Sequence, residues 1–290
     1  MLDIAARIEA SLADAVLLAE AQGAPPRLAA AMRHAVFPKG GRIRPRLTLA
    51  VAGACGDDRP ALTSSAAAAI ELLHCASLVH DDMPCFDDAE TRRGKPSVHR
   101  AYGVPVAVLA GDALIVLAFQ TLARAAPCAP ERLGHVLAAV GDGVGVPFGI
   151  VAGQAWECEP TVDLSEYQRQ KTGALFAAAA VAGAAAAGHA EHEAWRLLGD
   201  RLGEAYQVAD DLRDAVEDEA SLGKPVGRDA ALGRPSAVAE FGLDGAVARL
   251  RRLSEAAVAA IPPCPGQAAL RSLMLAEAGR LVPRKLAAAA

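Results

Sequence analysis

Residues 60–82 read PALTSSAAAAIELLHCASLVHDD. Alanine and leucine, strong helix formers, dominate the stretch, and its apolar positions recur at spacings of three and four. Ile70, Leu73 and Ser77 continue one stripe down to a pair of aspartates. The spacing predicts a helix over 60–82 that ends in acid. The same texture extends outward over the whole chain, where β-branched alternation is scarce. Helices are expected at 1–22, 26–36, 45–54, 60–82, 104–125, 130–155, 163–188, 190–220 and 235–258, with a C-terminal piece near 265–286. Proline- and glycine-bearing stretches separate them, among them Ala24-Pro25-Pro26, Arg93-Gly94-Lys95-Pro96 and Pro262-Pro263. No long polar linker and no repeat of 20–50 residues divides the chain. The reading is an all-α fold, one domain over residues 1–290.

Composition narrows the function. The 290 residues are 53% hydrophobic, 22% charged and 4% aromatic, with a net charge of −5. An acidic balance argues against a nucleic-acid binder held by phosphate contacts. The longest apolar stretch reads as Gly173 to Gly188, short of the ~20 residues of a membrane span, so no span is expected. The N-terminus has no basic segment followed by an apolar run. Six scattered cysteines without a CxxC pair suggest reduced thiols, so a soluble cytoplasmic protein is expected.

Two acidic clusters carry the chemistry. The first is Asp81-Asp82-Met83-Pro84-Cys85-Phe86-Asp87-Asp88, followed by Arg92-Arg93-Gly94. Pro84 disfavours helical geometry at Met83, so these carboxylates gather at a helix C-terminus. The helix dipole opposes each anion there by roughly 0.3–1 kcal/mol. A solvated acidic loop explains the charge but not its attachment to the apolar stripe. In the second cluster, Gln207, Asp210, Asp211 and Asp214 fall at i, i+3, i+4 and i+7, one helical face. Three carboxylates in one stripe repel unless a cation lies between them. Oxygen-only clusters of this kind suit Mg²⁺, held by carboxylates, water and substrate phosphates. Arg44, Arg92, Arg93, Lys171 and Lys224 supply cationic partners for a diphosphate.

These motifs resemble those of the trans-prenyl diphosphate synthases, in particular the bacterial geranylgeranyl diphosphate synthases of carotenoid pathways. The resemblance runs from Lys39 to about Ser236. It rests on the two aspartate motifs in order, with Gly111-Asp112, Gly153-Gln154 and Lys171-Thr172 between them and Gly223-Lys224 after. It implies a single-domain bundle of about ten core helices around a central apolar cavity. It also implies that Asp81, Asp82, Asp87, Asp210, Asp211 and Asp214 form the metal site for Mg²⁺, three ions with bound diphosphate. Asp81, Asp87 and Asp210 would be direct ligands, and Asp211 and Asp214 would act through metal-bound water. By the same resemblance, Arg92, Lys171, Thr172, Gln207 and Lys224 contact an allylic diphosphate, with Thr172 and Gln207 nearer the reacting carbon. Arg44, His74 and Arg93 contact isopentenyl diphosphate. The small pair Ala76 and Ser77, one turn before Asp81, would set product length and permit twenty carbons; the alternative is a fifteen-carbon farnesyl product. A homodimer is implied as well.

Three positions depart from the family pattern. Gly41 stands in the place of a lysine, with Lys39 two residues earlier as a candidate substitute. Arg234 replaces a late substrate-binding lysine, and Glu157 replaces an aspartate. Two rival readings are a terpene cyclase and a catalytically silent partner subunit. Both fit poorly, since cyclases normally carry Asn/Ser/Glu ligands at the second site and silent subunits usually lose an aspartate motif.

Overall fold

The computed structural model describes residues 3–37, 40–161, 164–216 and 236–281. Its helices are α1 (Ile4–Ala19), α2 (Pro26–Val36), α3 (Ile43–Cys55), α4 (Pro60–Asp81), α5 (Val98–Tyr102), α6 (Val104–Ala125), α7 (Pro130–Val144), α8 (Ile150–Ala155), α9 (Leu164–Gln168), α10 (Ala174–Ala186), α11 (Arg196–Val216), α12 (Ala237–Ala259) and α13 (Gln267–Leu281). Proline opens α2 and α4, where a missing N–H is harmless. α4 and α10 form the centre: every residue from Leu175 to Ala186 is buried, as is most of α4. Their alanines let neighbours approach closely. α10 packs against α3, α7 and α11, while α6 lies along α4. Each fully buried leucine contributes about 1.5–3 kcal/mol, so Leu62, Leu72, Leu114 and Leu198 stabilise this core more per residue than its alanines do.

Several boundaries differ from the sequence reading. The helix expected over 130–155 breaks at Gly145-Val146-Pro147-Phe148-Gly149 into α7 and α8, because Pro147 lacks an N–H and biases Val146 away from helical geometry. The helix expected over 163–188 is interrupted by a π-helical turn at Arg169–Gly173. The one expected from 190 starts at Arg196, after a 3₁₀ turn at His192–Trp195. Sequence periodicity also missed a two-stranded ribbon, β1 (Thr91–Arg92) paired antiparallel with β2 (Lys95–Pro96). Its turn residues Arg93 and Gly94 both have positive φ, 53° and 74°, the hairpin geometry that matches strand twist.

The apolar-stretch expectation also needs correction. α4 and the run Val104–Cys128 are both long and apolar enough to cross a membrane by length and composition. α4 is largely buried by its neighbours, whereas α6 leaves Val104, Leu109 and Val116 exposed.

Candidate active site

A cavity of about 750 Å³ opens at the C-terminal end of α4, between α6, α8, the π turn and α11. α4 delivers Asp81 to its rim. The chain then folds back, the N–H of Asp87 bonding to the Asp81 carbonyl at 3.0 Å and that of Phe86 to Met83 at 2.9 Å. This turn brings Asp87 beside Asp81 on the cavity wall. From α11, Gln207, Asp210, Asp211 and Asp214 line the same cavity, as one helical face should. Beyond the carboxylates the lining turns apolar, with Leu73, Ala76, Ser77, Ile115, Val144 and Leu175. Among the described residues, no three Asp, Glu, His or Cys side chains are arranged to close on a metal ion by themselves. The oxygen-only donor set still fits Mg²⁺, which completes its shell with phosphate oxygens and water.

Asp82 stands apart from the other five aspartates. It is buried and absent from the cavity lining, since consecutive helical residues point about 100° apart. Arg92 Nε donates to its two carboxylate oxygens at 3.0 and 3.2 Å, and Arg92 Nη2 donates as well. Burial pushes the Asp82 carboxyl up, while Arg92 opposes that shift. Asp82 therefore seats Arg92 instead of facing a metal. The ribbon makes this possible by turning Arg92 inward, where it lines the cavity.

A second group of cations gathers around α4; Arg44 and His74 line the same cavity, whereas Arg93 does not. Arg44 Nη1 sits 3.4 Å from His74 Nε2, and its guanidinium stacks 4.5 Å from the Phe176 ring centre. Arg93 Nη2 is 3.7 Å from Glu71 Oε1. Burial, and then the charges of Arg44, Arg93, Arg92 and Arg42, hold His74 well below the ordinary imidazole value of 6.5, so it is neutral at pH 7. Arg44 Nε and Arg93 Nη1 are buried with no hydrogen-bond partner. Such donors are costly to leave unmade, and an anion satisfies them. Sequence reasoning missed Glu71, which anchors this group: Arg42 Nη1 donates to it at 2.6 Å. Its signal was visible, as the one charged residue between Leu62 and Val79.

Lys171 and Thr172 sit in the π turn. A wider turn re-aims side chains and recurs at functional sites. Glycines on both sides admit it: a Cβ on Gly153 would lie 2.3 Å from the Lys171 nitrogen, and one on Gly203 would lie 2.7 Å from the Gly173 Cα. Lys171 Nζ reaches Glu157 at 2.5 Å and Asp81 at 3.2 Å. Burial penalises its charge, yet Asp81, Tyr167 and Glu157 hold it above the usual lysine range. Glu157 also accepts from Tyr167 Oη and Gln154 Nε2, so the longer acid in an aspartate's place seats the lysine. Thr172 Oγ1 bonds to Gln207. Lys39, Lys224 and Arg234 lie outside the described residues.

The polyprenyl synthetase family model matches residues 25–260. The chain is 55% identical over 282 residues to a geranylgeranyl diphosphate synthase of Cereibacter sphaeroides, covering 97% of this chain and 98% of that protein. Among solved structures it resembles a geranylgeranyl pyrophosphate synthetase from Pyrococcus horikoshii, with a TM-score of 0.77, 32% identity and coverage of 97% and 96% of the two chains. It also resembles a geranyltransferase from Helicobacter pylori complexed with magnesium and isoprenyl diphosphate, with a TM-score of 0.79, 26% identity and coverage of 97% and 99%. With the family model spanning most of its length and relatives this similar, the chain belongs to the polyprenyl synthetase family.

Proposed function

We propose that the protein is a Mg²⁺-dependent prenyltransferase that condenses an allylic diphosphate with isopentenyl diphosphate to make geranylgeranyl diphosphate. The observation that carries this reading is one cavity lined by six aspartates, five of them from the two acidic motifs, with aliphatic side chains beyond them. Such a cavity suits a molecule with a charged head and a hydrocarbon tail. Bound Mg²⁺ supplies positive charge where the leaving diphosphate gathers electrons. Asp81, Asp87 and Asp210 would hold it, with Asp211 and Asp214 nearby.

Arg92 and Lys171 bind the allylic diphosphate from two sides of the rim, each already seated by a carboxylate, so little reorganisation is needed. The allylic C–O bond breaks with its electron pair leaving on the diphosphate. The π pair of isopentenyl diphosphate forms the new C–C bond, and a proton departs to a diphosphate oxygen. Arg44, Arg93 and neutral His74 orient the isopentenyl diphosphate; the unpaired buried N–H groups of the two arginines favour an anion there. The apolar walls exclude water, which would otherwise trap the allylic cation.

The larger of two hydrophobic clusters takes in residues from Ile8 to Met274, which supports a single domain. The exposed apolar residues Val104, Leu109 and Val116 of α6 support a homodimer. Six free cysteines suit a reducing cytoplasm. The test is product analysis with the purified chain, labelled isopentenyl diphosphate and each short allylic primer. A twenty-carbon diphosphate is expected; no turnover would favour a silent subunit, and a cyclic hydrocarbon would favour a cyclase.

The glycine in a lysine's place gives a further expectation. Among the described residues, a Cβ on Gly41 would meet only the Ile43 side chain, at 3.4 Å, an ordinary contact. Gly41→Lys should therefore be accommodated and lower KM for isopentenyl diphosphate about tenfold, with kcat nearly unchanged. If Lys39→Ala instead raises that KM sharply in the natural protein, Lys39 already fills the role.

A further inference from the structure

A chain of hydrogen bonds crosses the cavity wall from the π turn to the start of α12. Thr172 Oγ1 donates to Gln207 Oε1 at 3.1 Å, and Gln207 Nε2 donates to Asp211 Oδ1 at 3.0 Å. Asp211 Oδ2 accepts from the Ala237 N–H at 2.7 Å. Chemistry forces the direction of this relay. A carboxylate only accepts, so the amide nitrogen of Gln207 must face Asp211. Its carbonyl then faces Thr172. A hydroxyl has a single proton, and here that proton points at Gln207.

Thr172 lines the cavity, so what it presents there is oxygen lone pairs and no proton. We propose that Asp211 is a positioning residue that sets the polarity of this relay, fixing Thr172 as an acceptor toward the allylic carbon as positive charge develops on it. The inference rests on the prenyltransferase reading. It assigns Asp211 a different task from its neighbours in the acidic stripe: Asp211 is buried and bonded to the first residue of α12, whereas Asp210 and Asp214 are half-buried. A fixed dipole aimed at developing charge needs no reorganisation during reaction. Reversing that dipole would place a hydroxyl proton against the cation.

Asp211→Asn makes that reversal with the same shape. The new amide keeps its oxygen on the Ala237 N–H and offers its nitrogen to Gln207. Gln207 must then turn its carbonyl toward position 211 and donate to Thr172, whose proton swings into the cavity. The expected result is a fall in kcat of about 100-fold, the scale of one lost preorganised dipole. Both substrate KM values, the Mg²⁺ activation constant and the melting temperature should stay within about twofold or unchanged. The double variant Asp211→Asn with Gln207→Glu restores the original direction, because the new carboxylate accepts from both sides. It should recover at least tenfold of the lost kcat, which neither a lost metal ligand nor a lost helix contact explains.

Neutron diffraction reads the same polarity without turnover. The Thr172 hydroxyl deuteron should point at Gln207 in the natural protein, and into the cavity in Asp211→Asn. Turnover of the natural protein tests the prenyltransferase reading separately, and diffraction decides the relay in either case. An unchanged kcat in Asp211→Asn would overturn the proposal. So would a loss cured by excess Mg²⁺, a double variant no better than the single one, or a deuteron that does not move.

Discussion

Asp81→Asn is expected to lower turnover about 10²- to 10³-fold, the scale of losing one electrostatic contributor to a transition state, without lowering the melting temperature. Asp81 lies on the cavity rim, with Lys171 3.2 Å away. Neutralising it leaves Lys171 with Glu157 at 2.5 Å and relieves repulsion from Asp87. Asp87→Asn and Asp210→Asn should behave alike. Asp82→Ala should not. Its partner Arg92, half-buried on the cavity wall, would lose the buried carboxylate that seats it, so the melting temperature should fall. The two adjacent aspartates are thus separated by a two-way measurement, kcat under saturating substrate and Mg²⁺ against thermal unfolding. The metal assignment is wrong if Asp81→Asn, Asp87→Asn and Asp210→Asn all turn over normally.

The contrast between Asp81 and Asp82 also marks the limit of what the chain's order of residues discloses. Local periodicity placed α2 and α6 at their observed boundaries and α4 within one residue, because each carries a long alanine- and leucine-rich repeat. It placed Gln207, Asp210, Asp211 and Asp214 on one face, and that face lines the cavity. Helix geometry alone did not separate Asp81 from Asp82: consecutive residues point about 100° apart, yet the neighbours Asp210 and Asp211 both reach the cavity. The identity of Asp82's partner could not be read, because the ribbon that turns Arg92 inward depends on Arg93 adopting φ of 53°, a conformation few non-glycine residues take.

Long-range pairing was hidden for the same reason. Arg42 is held by Glu9 and Glu71, 33 and 29 residues away, and no short window contains both ends of either bond. The π turn at Lys171 is a tertiary product too. It exists where Gly153 and Gly203 let two helices press on its backbone, and nothing in residues 169–173 signals the extra width. Glu157 could be noted as a departure, but its grip on Lys171 and Tyr167 required the fold. The resemblance supplied roles for Lys171 and Thr172; the geometry supplied what holds each of them in place.

Product length is the other large effect. Ala76 and Ser77 precede Asp81 by five and four residues on α4, about one turn or 5.4 Å further in, and both line the cavity where its walls become apolar. That rise is comparable with one isoprene unit, so a tail descending from the rim passes these two side chains before reaching Leu73. Ser77 is half-buried and bonds only locally, its Oγ donating to the His74 carbonyl at 2.9 Å. Ala76 is almost fully buried, which makes Ser77 the better place to add bulk. Ser77→Phe should raise the floor of the cavity, stop elongation one unit early and convert the main product from twenty carbons to fifteen, with turnover retained. Ala76→Tyr should act in the same direction at a greater cost in stability. The competing explanation is that small residues here only let α4 and its neighbours approach closely. An aromatic ring would then overfill a helix contact at about 1–3 kcal/mol. Product chromatography beside a melting curve separates the two: a lower melting temperature with an unchanged twenty-carbon product would remove Ala76 and Ser77 from the determination of chain length.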